Sequence, residues 1–246
     1  SITPVIKRFD WESGTIYDYY KDDVDMLDID ENDNPKYMFY VKNSYDQVFK
    51  CLWNSNDAPS TVEPFFQPGS YGTNNIYKGT DGYKWKYMYT IDTGAKKTFM
   101  DTAWIPVPVG SNIPNPIEND AGYGNIDVIN VVNGGSGYDQ ANSAITVTIT
   151  GDGTGAKGIA VVNNTTKMIT DINVTNTGSN YTYANVNIYG TSTGGNVASA
   201  RAVIGPKYGH GYNSAKELGG HNVMIALKIG EGDTTEGNII SANTSF

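Results

Sequence analysis

From Tyr83 onward the chain alternates without a break. Tyr83, Trp85, Tyr87, Tyr89 and Ile91 fall on one face of a strand, and Lys84, Lys86, Met88 and Thr90 on the other. Strand side chains point to alternate faces, whereas a helix would scatter this set. Each aromatic hides roughly 150–250 Å² when buried. The aromatic face is therefore predicted to be core and the lysine face solvent. Asp81-Gly82 is a tight-turn signal at the entry to this strand. Upstream, Lys36–Lys42 and Gln47–Trp53 are strand-like, and Asn43-Ser44-Tyr45-Asp46 between them predicts a hairpin. Residues 54–77, with Pro59, Pro64 and Pro68, read as an irregular excursion. Trp104-Ile105-Pro106-Val107-Pro108-Val109 must be extended, because its prolines forbid a helix or a central sheet position. Asn213–Gly219 reads as a short helical turn, capped by Asn213 and stopped by glycine. Val223, Ile225, Leu227 and Ile229 share a face and predict a core strand returning to the sheet of residues 36–109.

Between these stretches the pattern changes. Residues 112–125, with Pro114, Pro116 and Gly122, read as a linker. In 126–204 charge almost disappears and Val, Ile, Thr, Asn and Gly dominate. An internal repeat is visible: Ile129–Tyr138 (INVVNGGSGY) matches Ile172–Tyr181 (INVTNTGSNY) at an offset of 43 residues. Each copy continues with Ala-Asn, a strand ending in glycine and a small-residue strand. Two copies, about 126–162 and 172–204, are too few for a solenoid and suit a compact β-domain of about six to eight strands, its halves packed on each other. The predicted fold class is mainly β with little helix. An antiparallel β core domain is formed by 1–125 and completed by 205–246, and 126–204 is an inserted, β-sandwich-like repeat domain forming a separate lobe.

Composition narrows the function. The chain has 246 residues, 39% hydrophobic and 17% charged, with 28 Gly and 18 Tyr, which suits short strands and many turns. A formal charge of −9 with scattered Lys and Arg argues against a nucleic-acid groove. No run of 18 apolar residues spans a membrane, and no signal peptide is visible. The chain opens at Ser1 in a Pro-containing segment and reads as a piece of a longer protein. Cys51 is single and lies in an apolar run, so it reads as a small buried residue. One Cys and two His argue against a zinc site of that kind. No cofactor is expected.

Several motifs carry less than they promise. Asp28-Ile29-Asp30-Glu31-Asn32 begins like an EF-hand loop, but Asp33 stands where Gly is needed and Phe39 where the bidentate Glu belongs. It reads as a solvated acidic loop. Gly153-Thr-Gly155-Ala-Lys-Gly158 fits a dinucleotide fingerprint but leads into a strand, without the helix N-terminus that gives it meaning. Gly134–Asp139 fits one calcium β-roll unit, and the second copy loses the Asp. The triplets at Asn164 and Asn180 matter only in a secreted eukaryotic setting.

The order of the chain resembles a family. Arg8-Phe9-Asp10-Trp11, then V-F-K-C-L (48–52), D-G-Y-K-W-K-Y-M-Y-T-I (81–91) and W-I-P-V-P (104–108) resemble the baseplate wedge protein encoded by gene 8 of T-even-like contractile-tail bacteriophages. G-H-G-Y-N-S-A-K-E-L-G-G-H-N-V-M-I (209–225) looks like the C-terminal part of wedge proteins from marine relatives. The repeat block resembles modules of cyanophage structural proteins and is not part of the T-even pattern. The resemblance covers roughly 1–110 and 205–230. It implies a non-enzymatic virion subunit, assembled in the host cytoplasm into the tail baseplate, dimeric, and in contact with other wedge subunits. The N-terminal portion expected of the family is missing. Trp11, Tyr83, Trp85 and Tyr87 are its core signature. Candidate assembly contacts are the Pro-rich segments: Pro59, Pro64, Phe65, Phe66 and Pro68, then Trp104, Pro106 and Pro108. Proline lowers the entropy lost when a loop is ordered at an interface.

Two other classes compete. A carbohydrate-binding or adhesin module of a phage tail or fibre would use exposed Tyr138, Tyr181 and Tyr183. A hydrolase needs two carboxylates about 5–10 Å apart. Asp81 and Glu217 can be named, with His210 and His221 flanking Glu217, but each carboxylate has a structural role as turn former or short-helix residue.

Overall fold

The computed structural model describes residues 1–67, 75–109, 121–139, 145–191 and 194–227. The chain runs through β1 (Ile2–Lys7), β2 (Tyr40–Lys42), β3 (Gln47–Trp53), β4 (Ile76–Lys78), β5 (Lys84–Thr90), helix α1 (Thr93–Phe99) and β6 (Trp104–Pro106). The repeat block supplies β7 (Ile126–Asn133), β8 (Thr146–Gly151), β9 (Lys157–Asn163), β10 (Met168–Asn176), β11 (Ala184–Tyr189) and β12 (Ser199–Ile204). Helix α2 (Ser214–Glu217) and β13 (Asn222–Ile225) come last. The molecule is mainly β, in three antiparallel sheets ordered β2-β3-β5-β4, β13-β1-β6 and β8-β11-β12-β7-β10-β9.

The expected hairpin is present: Asn43 and Asp46 close the turn between β2 and β3, with Asp46 in the left-handed region at φ 60°. In β5 the unbroken alternation fails at one point. Val48 pairs with Tyr89 and Phe49 with Tyr87, so Met88 is an extra residue, a β-bulge. A bulge bends the strand and redirects the side chains beyond it. Tyr83, Trp85 and Tyr87 pack with Tyr17, Val41, Phe49 and Cys51. Tyr89 and Ile91 pack instead with Ile6, Tyr40, Val48, Met88 and Ile105, in the core between the two smaller sheets.

The lysine face is not solvent. Lys86 and Lys50 are fully buried and Lys84 nearly so. That side of the four-stranded sheet is the junction of the molecule. Tyr40, Val48 and Met88 meet the three-stranded sheet. Leu52 meets Val128 and Val203 of the repeat block. Further ties join the two: Asn130 donates to the Leu52 carbonyl at 2.9 Å, and Arg201 pairs with Asp22 and Asp23 at 2.6 and 2.8 Å.

The strand after the short helix also differs from expectation. Asn213 caps α2 as predicted and Gly219 comes next at φ 79°. β13, however, pairs with β1 rather than joining the sheet of β2–β5, and Val223, Ile225 and Leu227 are exposed. Ile229 lies outside the described residues. β6 occupies a sheet edge, where its proline costs no ladder bond.

The six strands of 126–204 form one nearly closed, barrel-like sheet, with β8 and β9 meeting at the gap. Exchanging copies (β7 with β10, β8 with β11, β9 with β12) leaves the ring order unchanged, so the block has an approximate two-fold axis. Ile129 pairs with Ile172, its own counterpart, beside that axis. The repeated loop motif explains itself here. Asn133 accepts from Gly135 N, and Asn176 from Gly178 N, at 2.8 and 2.9 Å. Each loop inserts its tyrosine across the axis: Tyr138 Oη accepts from Ala198 N at 2.7 Å, and Tyr181 Oη from Ala156 N at 3.3 Å. Gly135 and Gly178, at φ 61° and 64°, pass so close to the opposite copy that a Cβ would sit 2.5 Å from its backbone. The dinucleotide-like glycines serve packing: a Cβ on Gly153 would strike the Tyr181 ring at 2.4 Å.

Candidate assembly surface and the buried lysine junction

The junction is built around Lys50 of β3 and Lys84 and Lys86, on alternate positions of β5. Lys84 Nζ donates to the Ile129 carbonyl and pairs with Asp171, both at 2.8 Å. Burial pushes the Lys84 amine down, with Asp171 opposing it. Burial alone would raise the Asp171 carboxyl, but Lys84 and Lys78 hold it below the usual carboxylate range. Lys50 Nζ pairs with Glu217 of α2, and its amine is also pushed down by burial. The other Glu217 oxygen accepts from Gly211 N at 2.9 Å and Asn213 N at 3.2 Å, so one carboxylate fastens the 209–217 segment to the sheet. His210 lies beside it, fully buried, its ring edge-on to Tyr20 at 4.8 Å. Burial, then the charges of Lys50 and Lys86, holds the imidazole well below its ordinary range.

Both carboxylates named from sequence make structural contacts. Glu217 ties the 209–217 segment to Lys50. Asp81 accepts from Ser60 Oγ, Thr61 N, Val62 N and Tyr83 N, tying 60–62 to the turn before β5. In the acidic loop, Asp28 pairs with Lys36, and Asp30 accepts from Asn32 N and Asn34 N. Among the described residues no three His, Cys, Asp or Glu side chains converge as metal ligands. Tyr138 and Tyr181 are buried, so they offer no sugar platform; Tyr183 is exposed.

The predicted contact residues divide. Pro64 and Pro106 are buried within this chain and are not presented to a neighbour. Phe66 stacks on Tyr87 at 3.9 Å and its backbone is bracketed by Gln47. Trp104 and Pro108 are half-buried, and Lys7 covers the Trp104 ring at 4.3 Å. Pro59 is exposed, as is Phe65, which leans on exposed Tyr45 at 4.8 Å. Pro68 lies outside the described residues. Of the core signature, Tyr83, Trp85 and Tyr87 are buried, while Trp11 is half-buried and donates to Ser60 Oγ at 3.0 Å.

An exposed apolar surface falls on residues that the alternation assigned to the core. Ile2 pairs with Ile225 and Pro4 with Val223, which places them on one face of the three-stranded sheet. Ile2 is 65% exposed, Val223 56%, Ile225 61% and Leu227 75%. β13 is also an edge strand. A groove lined by Ile2, Pro106, Pro108 and Val109 adjoins this face. No family model, curated protein or solved structure matches the chain.

Proposed function

We propose that this protein is a structural subunit of a contractile phage tail baseplate wedge, working through protein–protein contacts and not through catalysis. The observation that carries this reading is the exposed apolar group of Ile2 on β1, Val223 and Ile225 on the edge strand β13, and Leu227 just beyond it. An edge strand presents unpaired backbone groups to another chain, and a contiguous apolar patch marks an interaction surface. The ordered motifs of 8–11, 81–91 and 104–108 supply the family. The partners are other wedge subunits and a second copy of this chain, and the place of action is the tail baseplate.

The test is an in vitro complementation assay with tails lacking this subunit. Ile225→Glu/Leu227→Glu changes only exposed side chains, so the variant is expected to keep its unfolding midpoint and fail to enter baseplates. Normal incorporation of that variant removes this face as an assembly contact. Turnover of a glycan or ester substrate, lost on changing one acidic residue, overturns the structural reading itself.

A further inference from the structure

A second surface lies on the opposite side of the Lys50–Glu217 pair from the sheet core. There the 20–27 loop and the 206–217 segment enclose a cavity of about 230 Å³, open to solvent. Tyr20, Met26, Leu27 and Pro206 form apolar walls, and Tyr208 and Tyr212, 4.9 Å apart, stand at the mouth half exposed. A cavity of roughly 150 Å³ suffices for a benzene ring, so the space fits one aromatic side chain.

The charges around it are uneven. Asp25 is exposed on the same rim, where its carboxylate accepts from Leu27 N at 3.0 Å and keeps its charge. Glu217 is engaged with Lys50. Lys207 and Lys216 are exposed and line the same cavity. Neither has a carboxylate partner among the described residues. The rim thus carries two exposed lysines against one exposed carboxylate, a local cationic excess beside an apolar socket in a molecule of net charge −9.

We infer that this socket takes an aromatic side chain of a partner protein segment in which a carboxylate stands next to the aromatic residue. The ring fills the space under Tyr208 and Tyr212, and the carboxylate meets Lys207 and Lys216. The inference rests on the assembly reading for its partner class, but not on the face of β13. Arginine- or lysine-flanked segments are disfavoured by the same rim.

The experiment titrates the isolated chain with N-acetyl-Phe-Asp-amide and follows Met26, Tyr208 and Tyr212 by NMR. N-acetyl-Phe-Asn-amide and N-acetyl-Ala-Asp-amide are run alongside. Saturable shifts are expected with the first peptide, binding roughly two- to fivefold weaker with the Asn peptide, as for an exposed ion pair, and none with the Ala peptide. Lys207→Gln/Lys216→Gln should erase the difference between the Asp and Asn peptides. Val24→Phe, which fills the cavity from its wall, should abolish the shifts while leaving the fold intact by its amide spectrum. No saturable shift, or equal shifts in Val24→Phe, overturns the inference. Complementation with Val24→Phe separates the two readings. Baseplate entry lost with Ile225→Glu/Leu227→Glu but kept with Val24→Phe removes the socket as an assembly anchor while the assembly reading stands. Peptide binding with normal entry of the Ile225 variant leaves the socket and removes the β13 face.

Discussion

Lys50 is where the residue scale decides most. Its charge sits in a strand that reads polar at that position, and its partner Glu217 is 167 residues away. Sequence shows the lysine but not the carboxylate that makes its burial tolerable. Removing one member of a buried pair leaves an uncompensated charge, which costs about 3–5 kcal/mol. Lys50→Met is expected to destabilise by that order in chemical denaturation. Lys50→Met/Glu217→Gln, which removes the charge but keeps an acceptor for Gly211 N and Asn213 N, should recover a large part of it, and a double variant as unstable as the sum of the singles would show that the pair acts independently. His210 gives a pH signature. Its folded-state pKa lies below the unfolded value near 6.5. Above that pH neither state binds the proton and the stability is intact. Below it the unfolded chain takes up a proton the folded chain refuses, so stability falls as pH falls. The groups facing it are Tyr20, Lys50, Lys86 and Glu217. His210→Phe keeps the ring against Tyr20 and should lose less stability than the natural protein between about pH 7 and 5.5; an equal loss assigns the slope to the other groups.

At the scale of elements, what local pattern could specify was legible. The β2–β3 hairpin, the six strands of the repeat, the extended 104–106 and the Asn213 cap arise from turn chemistry and alternation. What needs a partner strand was not. The bulge at Met88 exists only in register with β3, so the aromatic row looks continuous in sequence although its last members turn to the other core. β1 is short and interrupted by Pro4, which hid it. α1 begins at Asp92, whose carboxylate accepts from Gly94 N and Ala95 N, but Phe99 is its only buried residue, too little apolar periodicity to announce a helix. The candidate surface was misassigned for a related reason: Val223, Ile225 and Leu227 alternate as a core strand does, and period alone cannot say whether anything covers the face. The repeat tyrosines allow a graded test. Tyr138→Phe leaves the buried Ala198 N–H without its acceptor and should cost about 1–3 kcal/mol. Tyr181→Phe gives up a longer bond, 3.3 against 2.7 Å, and should cost less. The reverse order on thermal unfolding would mean the two halves are not held as their geometry indicates.

At the scale of the whole molecule, three sheets meet on one face of β3 and β5. The repeat block therefore does more than extend the chain: it covers Leu52, gives Lys84 its carboxylate and accepts Lys78 at 2.8 Å on Asp171 and 2.7 Å on Asn173. A chain with 126–204 replaced by a short linker is expected to unfold at lower denaturant than the full protein, because a buried ammonium and a leucine become uncovered together. An unchanged midpoint would show that this interface adds nothing to the stability of the remainder.

The crossed tyrosines of the repeat block carry one more implication, about descent. Neither half can seat its own Tyr; each seats the other's. A single ancestral unit could have closed the same ring only by meeting a second molecule of itself, and joining the two genes end to end would have turned that dimer into one chain. A polypeptide of residues 126–166 alone is thus expected to be unfolded when dilute and to gain β structure with a bimolecular concentration dependence. Folding as a monomer, seen by sedimentation, would set this history aside.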